Sequence, residues 1–290
     1  MRILLTNNHL VNIGGTETWI RTMAHELRAQ GHEVDIYTLE TGMFSDLLKA
    51  ENFKIYTHYP DLEDNYDGIL CNHTTTFYNL KLRGLKAPII FTSHSFFIDI
   101  ERPPAEAYEV VSVTEEIGKG KIIRNGIDVL KFDCKKPINK KLTNILYLTH
   151  PWNKEGNELV IEACKEYNLT LITTEIIEMD TLINENDLVI TLGRGILESL
   201  ACGRNVISGD HRHGWMTGFV GGGMITEDNF DDLKTHALSG RNKPIYFTAE
   251  TLKKELLKYD PARNLRNKMV SEYNIMRQAQ KYVELIKAYE

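Results

Sequence analysis

The sequence predicts an α/β protein built from two doubly wound domains. Short apolar runs rich in β-forming residues alternate with amphipathic helical patterns in the first half of the chain, and the same alternation restarts in the second half. This order is typical of parallel sheets that carry helices on both faces. The 290 residues, of which 42% are hydrophobic, are enough to give each domain a core of its own.

The first domain is predicted over residues 1–128. It opens with the strand RILLT, a loop and an amphipathic helix that ends at Gly31, and EVDIYTL forms the second strand. Further short strands are predicted at YDGILCN, APIIFTSH, YEVVSVT and KIIRNG.

The second domain is predicted over residues 143–265, after a lysine-rich segment at 129–142 that we expect to be a solvated linker because it has no helical period. Its predicted strands are NILYLT, LTLITT, DLVITL and NVISG, and its predicted helices are KEGNELVIEACKEYN, DNFDDLKTHAL and AETLKKELLKY. A terminal helix over 266–290 is expected to cross back onto the first domain. Two such domains that face one another leave a cleft between them, which is the default ligand site.

Composition narrows the class of protein. The net charge of −6 argues weakly against a nucleic-acid-binding protein, which usually carries a basic surplus. The first residues have too short an apolar run for a signal peptide, and no stretch approaches the length of a membrane span. The four cysteines are scattered without a C-x-x-C motif. These features favour a cytoplasmic protein with reduced thiols, although peripheral contact with a membrane stays open.

The turn Gly193-Arg194-Gly195 follows the apolar strand DLVITL and opens a short helix that contains Glu198. Turns of this kind lie at the carboxyl ends of strands, where α/β proteins bind ligands. Free backbone N–H groups at a helix start and a guanidinium both suit a phosphate. In the alternative interpretation, Arg194 pairs with Glu198 at i, i+4 on the helix surface.

Four stretches in this order resemble the retaining glycosyltransferases of the GT-B fold that are often called glycosyltransferase family 4. They are GGTETWIRTMAHELRAQGHEV, FTSHS, VSVTEE with KIIRNGID, and ESLACGRNVIS. The sequence also departs from the family pattern. Ile190 stands where the first glutamate of the family's Glu-x7-Glu pair is expected, and Lys154 is one residue out of register with the family's lysine. Both domains are shorter than usual for the family.

The resemblance implies a site for a nucleotide-sugar donor. In that site Arg194 and Lys154 would neutralise the diphosphate, and Glu198 would accept hydrogen bonds from the ribose hydroxyls. His94 is the candidate catalytic residue and would contact the transferred sugar. Its alternative is a satisfied buried histidine.

Two further segments are donor-site candidates. Gly14 and Gly15 would let backbone N–H groups approach a phosphate or sugar, and the alternative is an ordinary turn capped by Thr16. Thr226 at a helix start is placed near the sugar. The histidines His150, His211 and His213 form a poor zinc signature, so we expect no metal and no cofactor.

The expected activity is retaining transfer of a hexose-like sugar from a UDP- or GDP-sugar to an unidentified acceptor. That acceptor could be a saccharide, a lipid-linked glycan, a protein or a nucleic-acid base. The alternatives are a nucleotide-sugar epimerase and a nucleotide-sugar-binding protein of the same fold that has lost catalysis. An epimerase needs paired acid and base carboxylates over the sugar ring, and the sequence alone does not locate such a pair. Glycosylation of nucleic-acid bases is a minority interpretation, because the net charge is acidic.

Overall fold

A computed structural model describes residues 1–149, 153–173, 178–211 and 218–289. The chain divides into two compact units. Unit 1 comprises Met1–Gly126 and Asn274–Glu290, and unit 2 comprises Ile127–Tyr273. No helix among the described residues is long and apolar enough to cross a membrane.

Unit 1 contains a parallel sheet of seven strands in the order β3-β2-β1-β4-β5-β6-β7. Single 3₁₀ turns lie at Tyr59–Asp61, Asp99–Glu101 and Glu115–Ile117. The strands and helices of unit 1 are β1 (Arg2–Leu10), α1 (Gly15–Ala29), β2 (Glu33–Thr41), α2 (Met43–Ala50), β3 (Lys54–Tyr56), β4 (Gly68–Cys71), α3 (Thr74–Arg83), β5 (Ile89–Ser93), β6 (Glu109–Ser112), β7 (Lys121–Ile122) and, at the end of the chain, α10 (Ile275–Lys287).

Successive apolar side chains of β1 point to opposite faces of the sheet, which explains why helices cover both faces. Ile3 and Leu5 join the cluster that contains the buried stripe of α1 and the buried side chains of α10. Leu4 points into the other cluster, together with Phe77 and Leu80 of α3. A strand that is apolar on both sides is what a parallel sheet covered on both faces requires.

Unit 2 contains a sheet of six strands in the order β13-β12-β11-β10-β8-β9. Strands β9, β8, β10 and β11 are parallel, whereas β12 and β13 are antiparallel to their neighbours. The elements of unit 2 are β8 (Asn144–Leu148), α4 (Lys154–Ala163), β9 (Asn168–Ile172), α5 (Met179–Asn184), β10 (Leu188–Thr191), α6 (Arg194–Ala201), β11 (Asn205–His211), β12 (Phe219–Met224), α7 (Glu227–Lys234), β13 (Ile245–Tyr246), α8 (Ala249–Leu256) and α9 (Arg266–Glu272).

These two sheets confirm the predicted fold class, because each is an α/β sheet of the Rossmann-like type. Segment 129–142, which we expected to be a solvated linker, differs from that expectation. Val129 and Phe132 are buried in a core cluster of unit 2, and Arg266 donates hydrogen bonds to their carbonyl groups at 2.8 and 2.7 Å. The apolar residues between the lysines are the physical reason, because burying them stabilises the fold.

Helix α10 packs closely on the sheet of unit 1 at Gly68. A Cβ atom at this position would lie 2.5 Å from Cγ1 and 2.7 Å from Cγ2 of Ile286, so no side chain fits without movement of the helix. Helix α10 is therefore part of the core of unit 1, in which Ala279, Tyr282 and Ile286 are completely buried. The helix predicted over 266–290 is two helices, and the first of them, α9, belongs to unit 2.

We expect Gly68→Ala to lower the free energy of unfolding by about 1–3 kcal/mol, the usual range for overpacking a core. Denaturant titration measures this change. Gly15→Ala is the matched control, because a Cβ at Gly15 meets no atom within 4 Å. The effect of Gly68→Ala should shrink in an Ile286→Ala background. Equal losses in both backgrounds would contradict this contact.

Candidate functional site

Both sheets contain a point at which the strand order reverses, and such points are where open α/β sheets bind ligands. In unit 1 this point lies between β1 and β4, and in unit 2 it lies between β8 and β10. The loops that follow these strands carry most of the candidate residues from the sequence. The two sites are described separately.

In unit 1 the loop after β1 leads into Gly14 and Gly15. Gly14 is the N-cap of α1 in extended conformation, so the alternative in which Thr16 caps the helix is wrong. A Cβ on Gly14 would lie 2.4 Å from Oε2 of Glu17, whereas the space at Gly15 is open. Packing therefore accounts for Gly14, and Gly15 leaves its backbone accessible.

His94 lies at the carboxyl end of β5, half-buried at the same edge of the sheet. Its Nε2 atom is 3.1 Å from Oδ1 of Asn72, the residue that follows β4. The ring also meets the indole of Trp19 edge-on, with centroids 5.5 Å apart. The structure thus brings His94 and the Gly14-Gly15 turn to one edge, and it fixes the imidazole by two neighbours.

A pocket of about 380 Å³ opens at this edge of unit 1. Four titratable side chains that were not predicted as site residues line it, namely His9, Glu17, His73 and Glu101. Glu17 lies in the GGTE stretch at the start of α1, and this position could have identified it as a site residue. Nothing in the local sequence marks Glu101, which lies in a loop 84 positions later (101 − 17 = 84).

The Glu101 carboxyl group is buried on a tightly held turn. Its residue is 8% exposed, and its backbone carbonyl accepts a hydrogen bond from Ser93 Oγ at 2.9 Å. Thr74 Oγ1 donates to the carbonyl groups of the two flanking residues, at 3.1 and 2.8 Å. Burial, with a smaller contribution from the negative charge of Glu17, raises the pKa of Glu101 to about 7.

The other carboxylate in the pocket is bonded on two sides. Glu17 Oε1 lies 3.0 Å from His9 Nε2, and Thr16 Oγ1 donates to Oε2 at 3.1 Å. His73 stacks against His9, and its Nδ1 accepts the backbone N–H of Asn8 at 2.8 Å. Burial and then the proximity of His9 lower the pKa of His73 to about 4, so this imidazole is neutral at physiological pH.

In unit 2 the Gly193-Arg194-Gly195 turn opens α6 at the carboxyl end of β10. Gly193 has φ 67° and ψ −133°, a conformation that strains any residue with a Cβ. A Cβ on Gly195 would lie 2.7 Å from Thr191 Oγ1. Both glycines are thus required by the turn itself, independently of any ligand.

Arg194 and Glu198 form the ion pair of the alternative interpretation, but the pair is mostly buried rather than on the surface. Arg194 Nε donates to Glu198 Oε1 at 2.8 Å, and the two side chains are 14% and 10% exposed. Burial raises the pKa of Glu198, while the charge and hydrogen bond of Arg194 act in the opposite direction. The pair therefore places a guanidinium at the start of α6.

Lys154 is an exposed residue at the first position of α4, after β8. The N-cap before it is Asn153, whose side-chain oxygen accepts the N–H of Gly156 at 3.2 Å. The amide nitrogen of Asn153 donates to Thr149 Oγ1 at 2.9 Å and to Asp210 Oδ1 at 3.0 Å. A polar network thus holds the start of α4 at the carboxyl edge of this sheet.

The structure does not bring Thr226 to that edge. Strand β12 runs antiparallel to β11, with Met224 opposite Ile207, so the residue that follows β12 lies near the amino end of β11. Thr226 instead caps α7, where its N–H donates to Asn229 Oδ1 at 2.8 Å. Its predicted place near the sugar stays a prediction. His150 and His213 lie outside the described residues.

No group of three or more His, Cys, Asp or Glu side chains that could hold a metal occurs in the described part of the chain.

No family model matches the chain, and no curated protein matches its sequence. Solved structures, however, match it over nearly its whole length. HepE of Anabaena, in complex with UDP-glucose, is 14% identical with a TM-score of 0.68, and the match covers 99% of this chain and 100% of that one. A putative UDP-N-acetylglucosamine 2-epimerase from Listeria monocytogenes is 13% identical with a TM-score of 0.61, covering 99% and 96%.

A third solved structure is an alpha-glucosyltransferase in complex with UDP and a 13-mer DNA that contains an HMU base. It is 13% identical with a TM-score of 0.57, and the match covers 99% of both chains. Identities this low establish the fold alone. The chain has the GT-B fold, which confirms the fold that the motifs indicated, while the likeness to glycosyltransferase family 4 rests on the motifs.

The buried Glu101 generates a prediction about stability. Its pKa in the folded chain is about 7, above the ordinary 4.5, so the folded state binds this proton more tightly than the unfolded state does. The carboxyl group therefore destabilises the fold increasingly as the pH rises from about 4.5 to 7. We expect Glu101→Gln to raise the free energy of unfolding by about 2 kcal/mol more at pH 8 than at pH 5.

Urea titrations at the two pH values measure this difference. Asp99→Asn is the matched control on the same turn, because the Asp99 side chain is 87% exposed. The control should change by less than about 0.5 kcal/mol at either pH. A pH-independent effect of Glu101→Gln would contradict the burial argument.

Proposed function

We propose that this protein is a glycosyltransferase that transfers a hexose-like sugar, with retention, from a UDP- or GDP-sugar to an acceptor. The observation that carries the proposal is the Gly193-Arg194-Gly195 helix start at the strand-order reversal of unit 2, in a chain of GT-B fold. The fold match to HepE, solved with UDP-glucose, supports a nucleotide-sugar donor. Retention rests on the resemblance of the motifs to glycosyltransferase family 4.

Transfer of the sugar in this proposal depends on stabilising the negative charge that develops on the diphosphate. Cleavage of the bond between sugar and phosphate builds negative charge on the leaving group, which preorganised cations and helix N–H groups stabilise. Arg194 would exchange part of its interaction with Glu198 for phosphate oxygens, and Lys154 would supply a second cation. Glu198 would then accept hydrogen bonds from the ribose.

His94 is proposed to contact the transferred sugar. Its imidazole is held at Nε2 by Asn72, which fixes the orientation of the ring. Gly15, where the backbone is accessible, would approach the same ligand. In a retaining reaction with attack on the face of the departing phosphate, the phosphate itself takes the proton of the acceptor, so His94 need not act as a base.

A nucleotide-sugar epimerase is the second candidate, because Glu17 and Glu101 supply the pair of carboxyl groups that the sequence alone did not locate. The fold match to a putative epimerase is compatible with it. Incubation with UDP-N-acetylglucosamine in deuterated water separates the two functions. An epimerase that exchanges a ring proton incorporates deuterium into the sugar, whereas a transferase releases UDP and a sugar whose anomeric configuration NMR reports. A catalytically inactive binding protein would bind the donor and give neither product.

We expect Arg194→Ala to weaken UDP-sugar binding by about 2 kcal/mol, the scale of a charge-assisted hydrogen bond. Isothermal titration calorimetry with UDP-glucose and with a GDP-sugar measures this loss. Lys165→Ala is the control, because it removes an exposed helix ion pair with Glu162 on the same unit. Unchanged affinity in both Arg194→Ala and Glu198→Gln would overturn the donor site.

We expect His94→Ala to lower the turnover of donor by at least about tenfold, while the affinity for UDP changes by less than about 0.5 kcal/mol. The reason is that His94 would contact the sugar rather than the nucleotide. UDP release and UDP titration on the same preparation give both quantities. A large loss of UDP affinity, or full turnover, would exclude this role.

A further inference from the structure

The pocket of unit 1 contains a buried carboxyl group, that of Glu101, beside which the described walls place no cation and no hydrogen-bond donor. Glu101 is more than nine-tenths buried, and no described residue forms a hydrogen bond or ion pair with its carboxyl group. The same residue lines the pocket. A buried carboxyl group without a partner is unfavourable, and a ligand that supplies the partner would remove this cost.

The remaining walls do not supply a compensating cation. None of the described residues that line the pocket is a lysine or an arginine. His73 is neutral, because its Nδ1 accepts a backbone N–H and burial lowers its pKa to about 4. His9 faces Glu17 at 3.0 Å. Asp99 and Arg102, on and beside the turn of Glu101, pair with each other in solvent at 3.0 Å. The pocket is therefore negative whenever Glu101 is ionised.

The size of the pocket and its other walls define the shape of the ligand. About 380 Å³ suits a molecule of the size of one sugar ring. Ile98, Ile100 and Val11 provide apolar surface, while Thr16 and Asn12 provide polar groups. The described side chains do not form a metal-binding group here, so an organic cation fits better than a metal ion.

We propose that this pocket binds a polyhydroxylated molecule that carries a protonated primary amine, such as an amino sugar, with its ammonium group on Glu101. Its use as the acceptor of the transferred sugar rests on the proposed function, whereas the binding itself does not. The ammonium restores the charge partner that Glu101 lacks, and the charge-assisted hydrogen bond is stronger than a bond to a neutral hydroxyl. The Glu17 carboxylate accepts hydrogen bonds from the hydroxyl groups of the ligand, and the His9 ring donates to one of them.

The test compares 6-amino-6-deoxyglucose with glucose as probes, in the absence of nucleotide, by NMR titration of the full chain. A primary alkylamine stays protonated at pH 8, as a lysine side chain does. Because the pKa of Glu101 is about 7, its ionised fraction rises about tenfold between pH 6 and pH 8. We expect the amino sugar to bind about tenfold more tightly at pH 8 than at pH 6, and the affinity for glucose to change little.

Two variants test whether Glu101 causes the pH-dependent preference for the amino sugar. In Glu101→Gln, the preference for the amine over glucose should be lost together with most of the pH dependence. Asp99→Asn removes a carboxylate from the same turn but should keep both. The proposal is overturned if neither probe binds, if glucose binds as well as the amine at pH 8, or if Glu101→Gln keeps the preference.

Failure of the ammonium site can be distinguished from failure of the proposed glycosyltransferase function. Titration of the wild-type protein with UDP-glucose tests the donor site in unit 2 on the same sample. Binding of the nucleotide sugar without binding of the amine would remove only the ammonium site. Binding of the amine by a protein that neither binds nor turns over a nucleotide sugar would remove the glycosyltransferase and keep the site.

Discussion

Parallel pairing of neighbouring strands is the constraint on which both candidate sites depend. Parallel strands must be joined by crossovers, so every loop from a strand to the next helix leaves the same edge of the sheet. Where the strand order reverses, the two adjacent loops diverge and leave a crevice. In unit 1 the crevice lies between β1 and β4, and in unit 2 it lies between β8 and β10. Residues far apart in sequence meet there for this reason alone.

The unequal lengths of the paired strands turn the crevice of unit 1 into a pocket. Pairing of β1 with β4 ends at Thr6 and Cys71, whereas pairing of β1 with β2 continues to Leu10 and Thr41. Residues 7–10 thus project beyond β4 and carry His9 into the wall of the pocket. Asn7, buried at the base of this projection, accepts from Asn72 at 3.3 Å, and Asn72 in turn meets His94. The same short network therefore supports the pocket and orients the candidate catalytic imidazole.

Local pattern predicted most strands of the two sheets, several helices and the glycine turns, because each depends on residues that are close in sequence. It missed α2, α3, α5, β3, β12 and β13, and it predicted α9 and α10 as one helix. Local pattern was insufficient where the structure depends on the direction of strand pairing or on contacts between residues that are distant in sequence. The position of Thr226 in the sheet could not be predicted, because nothing in its own segment specifies that β12 runs antiparallel to β11. Glu101 was not predicted as a site residue, because it is buried by loops that meet only in the folded chain. Segment 129–142 looked solvated because lysines flank the few apolar residues that anchor it.

The two buried glutamates illustrate how a fold prepares a site for different ligands. Glu198 keeps a guanidinium at 2.8 Å, so its charge is balanced inside the protein, and an incoming anion must compete for that guanidinium. Glu101 has no such partner, and its proton is held at near-neutral pH by burial. An anion therefore gains most at the first position and a cation at the second. The two sheet edges therefore differ in charge. A cation lies beside the buried carboxylate in unit 2, whereas no lysine or arginine lines the pocket of Glu101 among the described residues of unit 1.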